Sequence, residues 1–304
     1  MQITNKHGLP QTLVNAVLDD DYNKGDAVLS VTQLISPPRI VLLQSLNEAN
    51  LTADAVDRIP ALLGKAVHWI VEKGAKDIPN YIVEERLFTE VAGWKVSGAV
   101  DLQIENPDGT WEINDYKVTS VYSVLSDKPE WEQQLNLYAC FMRRQHGRRV
   151  TSLKIIAILR DWQRKQAELK MDYPLSQVVV VDIPVWPDDE QETFLAYRVA
   201  LHQQAKKDVD NNRSPPYCTD NERWLRGTTW ALVKEGRKSA VKLYDNEEDA
   251  KAAAKAAARD CGPGYSVEYR PGTPIRCAGN YCLVAAYCKQ WKAELGEGAG
   301  GGAG

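Results

Sequence analysis

The sequence predicts an α/β fold: a mixed central sheet flanked by helices, with a small β-β-α-β module after it. Three observations predict it. Alternating apolar residues at Val96, Val100 and Leu102 run into Asn106-Pro107-Asp108-Gly109, and the chain returns from Thr110 to Val118; this is the pattern of a β-hairpin. Apolar residues at helical spacing occupy 55–75 and 130–144, on either side of that hairpin. Pro215-Pro216 then interrupts the chain, and shorter strand and helix patterns follow. The expected organisation is a core with an N-terminal helical part over 1–215, a C-terminal module over 216–292 and a flexible tail over 293–304.

In chain order, Met1 to Asp26 is polar, with acidic Asp19-Asp20-Asp21, and reads as a loose lead-in. Ser30-Val31-Thr32-Gln33-Leu34 precedes Ser36-Pro37-Pro38-Arg39, where Pro38 suits a helix start. The helix over 55–75 carries Gly64 and His68 one turn apart on one face. A mid-helix glycine costs about 1 kcal/mol relative to alanine, so something is expected to pack closely at Gly64. Tyr81 to Thr89 alternates as a strand with Glu84 and Glu85 inside it; charges in a strand usually face solvent, and one of these two is the candidate to approach a metal centre or substrate instead. Glu130 to Arg144 is a helix with Gln134 and Tyr138 on one face. Ser152 to Leu159 and Gln177 to Val185 read as further strands, with Trp162 near the end of the first as a candidate for stacking on a base or for packing. Asp188 to Asn211 reads as a long helix burying Phe194, Ala196, Tyr197 and Leu201.

Beyond the double proline, Thr228 to Val233 and Ser239 to Tyr244 are strands around a turn, Glu247 to Ala258 is an Ala- and Lys-rich helix, and Ser266 to Arg270 is a third strand. Lys234, Arg237, Lys238 and Lys242 make the hairpin basic. Cys218 precedes this module, and Cys277, Cys282 and Cys288 follow it with spacing C-x₄-C-x₅-C. Four thiolates suit an Fe–S cluster or a zinc ion, although the close C-x₂-C pairs usual for zinc are missing; buried thiols are the plain alternative. Cys140 and Cys261 read as structural.

The chemistry concentrates in the hairpin. Period two puts Asp115 and Lys117 on one face of the returning strand, with Asp101 on the other arm. Two adjacent carboxylates raise one another's pKa unless a cation lies between them. Hard divalent cations such as Mg²⁺ take oxygen ligands and keep waters. They acidify water, and a neighbouring lysine can orient that water or hold developing negative charge. A phosphodiester fits as the target. The plain alternative is a hairpin with a surface Asp–Lys salt bridge, and the additional Asp101 and the Gln134-x-x-x-Tyr138 helix weigh against it.

Gly98-x-x-Asp101, Asp115-x-Lys117 and Gln134-x-x-x-Tyr138, in this order and spacing, resemble the PD-(D/E)XK nuclease superfamily. Within it they are most similar to the RecB-like branch of viral recombination exonucleases and CRISPR-adaptation nucleases, whose Gly-x-x-x-His pattern is matched by Gly64 and His68. A similar Ser-x-Thr-x-Leu opening is matched by Ser30, Thr32 and Leu34. The resemblance implies a restriction-endonuclease-like core and a DNA exonuclease of recombination or repair using Mg²⁺ or Mn²⁺. It implies metal ligands at Asp101, Asp115, His68 and the Tyr116 carbonyl, water orientation by Lys117, and a cleft shaped by Gln134 and Tyr138. Arg143, Arg144, Arg148 and Arg149 are expected as a DNA-binding phosphate rim, with compensation of the helix dipole as the alternative.

The same resemblance implies a 4Fe-4S cluster on Cys218, Cys277, Cys282 and Cys288. This chain departs from the family's spacing there, since its lone cysteine follows the core and its first C-terminal gap is longer. DNA is the implied partner, together with a single-strand annealing or other recombination protein, in a bacterial or viral setting. The alternatives are a non-catalytic DNA-binding or recombination-accessory protein on the same fold, and an RNA-processing nuclease.

Composition bounds these expectations. The chain has 304 residues and 44% hydrophobic content, enough for one large domain or two smaller ones. No apolar run is long enough for a bilayer and no signal-peptide pattern opens the sequence, so the expectation is a cytoplasmic protein without membrane contact. The net charge of −4 argues against a nonspecific nucleic-acid coat; a nuclease needs only a local basic groove.

Overall fold

The computed structural model describes residues 1–19 and 23–296, and the chain divides into two units, Met1–Pro216 and Tyr217–Gly304. Asp20 and Asp21 of the acidic run, and 297–304 of the expected tail, lie outside the described residues.

The first unit opens with β1 (Gln2–Thr4) and α1 (Gln11–Leu18), followed by β2 (Leu29–Ser30), α2 (Val31–Ile35), α3 (Pro38–Asn47), β3 (Thr52–Asp54) and α4 (Ile59–Ala75). The expected loose lead-in is therefore ordered where it is described. β1 pairs with β3 in parallel, and the Asp54 carboxylate accepts hydrogen bonds from the Thr4 hydroxyl and the Lys6 amide. Such an anchor, made through a residue fifty positions on, leaves no mark in the local sequence. Ser30 starts α2 with a reciprocal capping box through Gln33, and Pro38 opens α3.

The hairpin strands dominate the sheet. β4 (Tyr81–Val91), β5 (Trp94–Glu105) and β6 (Trp111–Thr119) lead through the short α5 (Val121–Val124) into α6 (Pro129–His146). Then come β7 (Val150–Leu159), α7 (Arg164–Leu169), β8 (Val178–Ile183) and α8 (Asp188–Asp210). The six-stranded sheet runs β2-β5-β6-β7-β8 with β4 also on β5. β2–β5 and β6–β7 are parallel and the other pairs antiparallel, so the sheet is mixed. A parallel neighbour needs a crossover, and α6 supplies it between β6 and β7. Leu135, Leu137, Phe141 and Met142 of α6 pack with Ile113, Ile155 and Leu159 of the sheet.

α8 buries a different stripe from the one expected. Gln191, Leu195, Arg198, Val199, His202 and Ala205 face inward, while Ala196 and Tyr197 are exposed. The inward polar groups serve the end of α2: Arg198 donates to the Leu34 and Ser36 carbonyls, and His202 Nε2–H donates to Leu34. Burial, with Arg198 adjacent, pushes His202 down to about 4, so the ring is neutral at physiological pH. The buried Arg39 of α3 donates to Ser214 and to the carbonyls of Pro215 and Pro216, which ties down the end of this unit.

In the second unit, after β9 (Leu225–Arg226), the strands β10 (Thr229–Lys234) and β11 (Lys242–Tyr244) precede α9 (Glu247–Cys261) and β12 (Tyr265–Arg270). They form a sheet of order β11-β10-β12, antiparallel throughout, in the β-β-α-β order expected. Asn246 caps α9 through the Asp249 amide. β13 (Thr273–Pro274) pairs with β9, and α10 (Ile275–Ala278) and α11 (Lys289–Glu294) complete the unit. No helix among the described residues is long and apolar enough to cross a membrane.

Candidate active site

The site is built where two strands part. β5 and β6 pair from Glu105–Trp111 to Leu102–Asn114 and no further. Beyond that point β5 continues beside β4, and β6 beside β7. The fork leaves the main-chain groups of Tyr116 on that side without a strand partner, and side chains take them up. Asp101 Oδ2 accepts the Tyr116 amide at 2.8 Å. His68 Nε2, on α4, stands 3.0 Å from the Tyr116 carbonyl. Sequence periodicity puts Asp101 and the Asp115–Lys117 pair on neighbouring arms; the parting of the arms leaves the space between them.

His68 lies among acceptors. Its Nδ1 is 3.5 Å from Asp101 Oδ1 and 3.6 Å from Glu84 Oε1. His68, Glu84 and Asp101 place one ligand atom each within 4.8 Å of one another, a set able to hold a metal ion. Glu84 first, with Asp101, the Tyr116 carbonyl and Asp115 behind it, holds the imidazole up to about 9. Asp101 is pushed up to about 7, first by its own burial and then by the nearby Asp115 charge. Two carboxylates and a carbonyl facing one point call for a cation, and without a metal the His68 proton supplies it.

Asp115 lies just outside that tight set. Its side chain is 1% exposed, with Lys117 Nζ 2.7 Å from Oδ2 and Gln134 Nε2 donating to Oδ1 at 3.1 Å. Both Asp115 oxygens are thus engaged, Oδ2 by the lysine ammonium and Oδ1 by the Gln134 amide. Against the cost of burial, Asp115 and Asp101 hold Lys117 above its ordinary pKa, so it is an ammonium. Gln134 Oε1 accepts from Lys117 at 3.2 Å, and Gln134 Nε2 also donates to the Tyr138 hydroxyl at 2.8 Å. One amide thus ties together the acid, the lysine and the tyrosine.

Carboxylate oxygens, a peptide carbonyl and one imidazole nitrogen form a donor set suited to Mg²⁺ or Mn²⁺. Glu84 is the member that sequence reasoning left open. The strand ladder pairs Val83 with Leu102 and Glu85 with Val100, and lapses between them at Glu84 and Asp101. Glu84 there has φ of 50°, in the left-handed region that non-glycine residues rarely enter. The sequence signals no turn at this position. Its neighbour Glu85 instead accepts from His146, Arg148 and Gln103.

The expected phosphate rim is largely committed elsewhere. Arg143 donates to Asp188, Gln191 and Glu192, and Arg144 to Glu192, Thr89 and the Glu90 carbonyl. Arg144 first, with Arg143, holds Glu192 down to about 2. Arg148 donates to Glu85 and Gln103 and lies over the Trp111 ring. A guanidinium must give up such pairs before it can take a phosphate; Arg149 remains exposed. Trp162 packs on the core and donates to the Pro174 carbonyl, so it is a packing residue. Gly64 also differs from expectation, since a Cβ built there meets nothing within 4 Å.

In the C-terminal unit, Lys234, Arg237, Lys238 and Arg270 line a cavity of about 520 Å³ with Tyr265 and Glu268. Cys282 and Cys288 are buried and Cys277 and Cys218 half-buried. Burial first, then the adjacent Cys282 and Cys288, pushes the Cys277 thiol up. Gln290, two residues past Cys288, accepts from the Cys218 amide and donates to its carbonyl, both at 2.9 Å. The four cysteines therefore belong to one neighbourhood. Cys140 is buried, and burial together with Glu192 pushes it up to about 12, so it is structural as expected; Cys261, exposed at the end of α9, is not.

The profile described as the PD-(D/E)XK nuclease superfamily matches residues 42–289. Among curated proteins none matches the chain in sequence. Among solved structures, that of SSO0001 is 19% identical with a TM-score of 0.43, covering 70% of this chain and 88% of its own. A protein from Eubacterium rectale, provisionally named an exonuclease, is 15% identical with a TM-score of 0.31, covering 64% of this chain and 70% of its own.

Proposed function

Because the chain belongs to the PD-(D/E)XK nuclease superfamily, we propose that it hydrolyses DNA phosphodiester bonds with Mg²⁺ or Mn²⁺, as an exonuclease of recombination or repair. The observation that carries this reading is the convergence of Asp101, Asp115, Lys117 and His68 at the fork between β5 and β6, with the buried Asp115 carboxylate against the lysine ammonium. Asp101, Asp115, His68 and the Tyr116 carbonyl would hold the cation. Bound there, a divalent ion supplies Lewis acidity toward water and phosphate oxygen.

The remaining work falls to side chains. Lys117, fixed between Asp115 and Gln134, orients the attacking water and stabilises charge as it develops on the phosphate. Asp101 and Asp115 keep the water's approach side negative, so its proton leaves toward them. Gln134 holds Lys117, Asp115 and Tyr138 in register, and Tyr138 forms the wall behind them. The exonuclease mode rests on the RecB-like pattern of Gly64 and His68. Cys218, Cys277, Cys282 and Cys288 would hold a 4Fe-4S cluster as a structural part of the C-terminal unit.

The test is direct. Purified protein is mixed with end-labelled single- and double-stranded DNA, and with RNA, in Mg²⁺, Mn²⁺ or EDTA. Stepwise release of label from DNA ends only with metal supports the proposal. Binding without cleavage under every metal condition, or cleavage of RNA alone, overturns it.

A further inference from the structure

Glu84 is the feature that the mechanism above does not use. It stands opposite Asp101 where the β4–β5 ladder lapses, with φ of 50°. A left-handed conformation at a non-glycine residue costs of order 1 kcal/mol or more, and Glu84 has no glycine-like reason to adopt it. The conformation brings Oε1 to 3.6 Å from His68 Nδ1. Asp101 Oδ1 competes for the same nitrogen at 3.5 Å, but Asp101 also faces the proposed cation position and has its second oxygen fixed by the Tyr116 amide. If Asp101 is drawn to a cation, Glu84 is left as the acceptor for Nδ1–H. A histidine that binds metal through one nitrogen ordinarily donates the other N–H to a carboxylate, which sets the tautomer and the ring orientation.

We infer that Glu84 is a positioning residue for the metal ligand His68: it takes the Nδ1 proton and so presents the Nε2 lone pair, beside the Tyr116 carbonyl, to a divalent cation. This rests on the nuclease reading of the site. The left-handed backbone is the local cost of placing that carboxylate. Removing the carboxylate should therefore weaken metal binding and change how the bound ion couples to the imidazole, a pairing that a merely structural glutamate would not produce.

The experiment uses the full chain, freed of metal and titrated with Mn²⁺. Calorimetry reads affinity, and pulsed electron paramagnetic resonance reads nitrogen coupling to the bound Mn²⁺. Glu84→Gln should weaken Mn²⁺ about ten- to hundredfold and change the nitrogen coupling. Glu84→Gly should do the same. His68→Ala should abolish the coupling. If the parent binds Mn²⁺ with nitrogen coupling and Glu84→Gln is indistinguishable from it, the role of Glu84 alone is overturned. If the parent takes up no Mn²⁺, or takes it up without nitrogen coupling, the assignment of His68 as a ligand falls and the role of Glu84 with it.

Discussion

Tyr138 fills the place of a side chain at Gly98: a Cβ on that glycine would lie 2.6 Å from Tyr138 Cε1 and 3.0 Å from Val31 Cγ2. The ring cannot easily retreat, because it is buried and its hydroxyl accepts from Gln134. Gly98→Ala should therefore cost about 1–3 kcal/mol by overpacking and lower activity through the displaced Gln134. Denaturant unfolding measures the first and DNA cleavage the second; a variant equal to the parent in both would refute the contact's importance.

The two acids and the lysine should separate in kind. Asp101→Asn and Asp115→Asn each remove a ligand charge without a change of shape, so cleavage should vanish while DNA binding persists. Lys117→Ala should leave Mn²⁺ affinity in calorimetry near that of the parent and reduce turnover by about a hundredfold or more. Equal losses of metal affinity in the lysine and aspartate variants would remove the distinction.

The protons at the site make stability depend on pH. Asp101 rises from 3.8 to about 7 and His68 from 6.5 to about 9 in the metal-free protein. Each group binds more protons folded than unfolded between its two values, so its contribution is complete below the lower value and is lost as pH passes the higher. The Tm of metal-free protein should fall from about pH 4, through Asp101, to about pH 9, through His68. The increment added by Mn²⁺ should grow over the same range, because a cation displaces those protons. Melting with and without Mn²⁺ across this range checks both slopes.

Open space beside Gly64 gives a test of substrate approach. Gly64→Ala in helix α4 should stabilise the protein by about 0.5–1 kcal/mol, since the methyl meets nothing. If DNA runs over this face on its way to His68, KM for DNA should rise in the same variant. A more stable protein with unchanged KM would place the substrate's path elsewhere.

The cysteines have an elemental readout. Protein purified without oxygen should be brown and contain iron and sulfide, and Ser in place of Cys218, Cys277, Cys282 or Cys288 should remove both and expose the C-terminal unit to protease. Cys140→Ser and Cys261→Ser should retain the iron. Colourless parent protein free of iron ends the cluster reading.

Much of the site was legible because it depends on local periods. Two-residue alternation puts Asp115 with Lys117, and the helical turn puts Gln134 with Tyr138 and Gly64 with His68. What escaped depends on distant partners. Arg144 meets Glu192 and Arg148 meets Glu85 across long stretches of chain, so basic residues at the end of a helix looked available when they were already paired. The inward face of α8 was misjudged because Arg198 and His202 are buried for the sake of α2 carbonyls, and apolar counting ranks such residues as solvent-facing. Between Glu84 and Glu85 the sequence could not choose, because nothing in an alternating strand announces a left-handed residue.

The fork leaves the Tyr116 amide in an unusual position. Its neighbours along β6 are held by the sheet, but this N–H is retained by the Asp101 carboxylate alone. In deuterated solvent, its exchange would be timed by the movements of one acid rather than by opening of the sheet. A single backbone proton thus becomes an intrinsic gauge of whether Asp101 is engaged, readable without substrate, label or turnover.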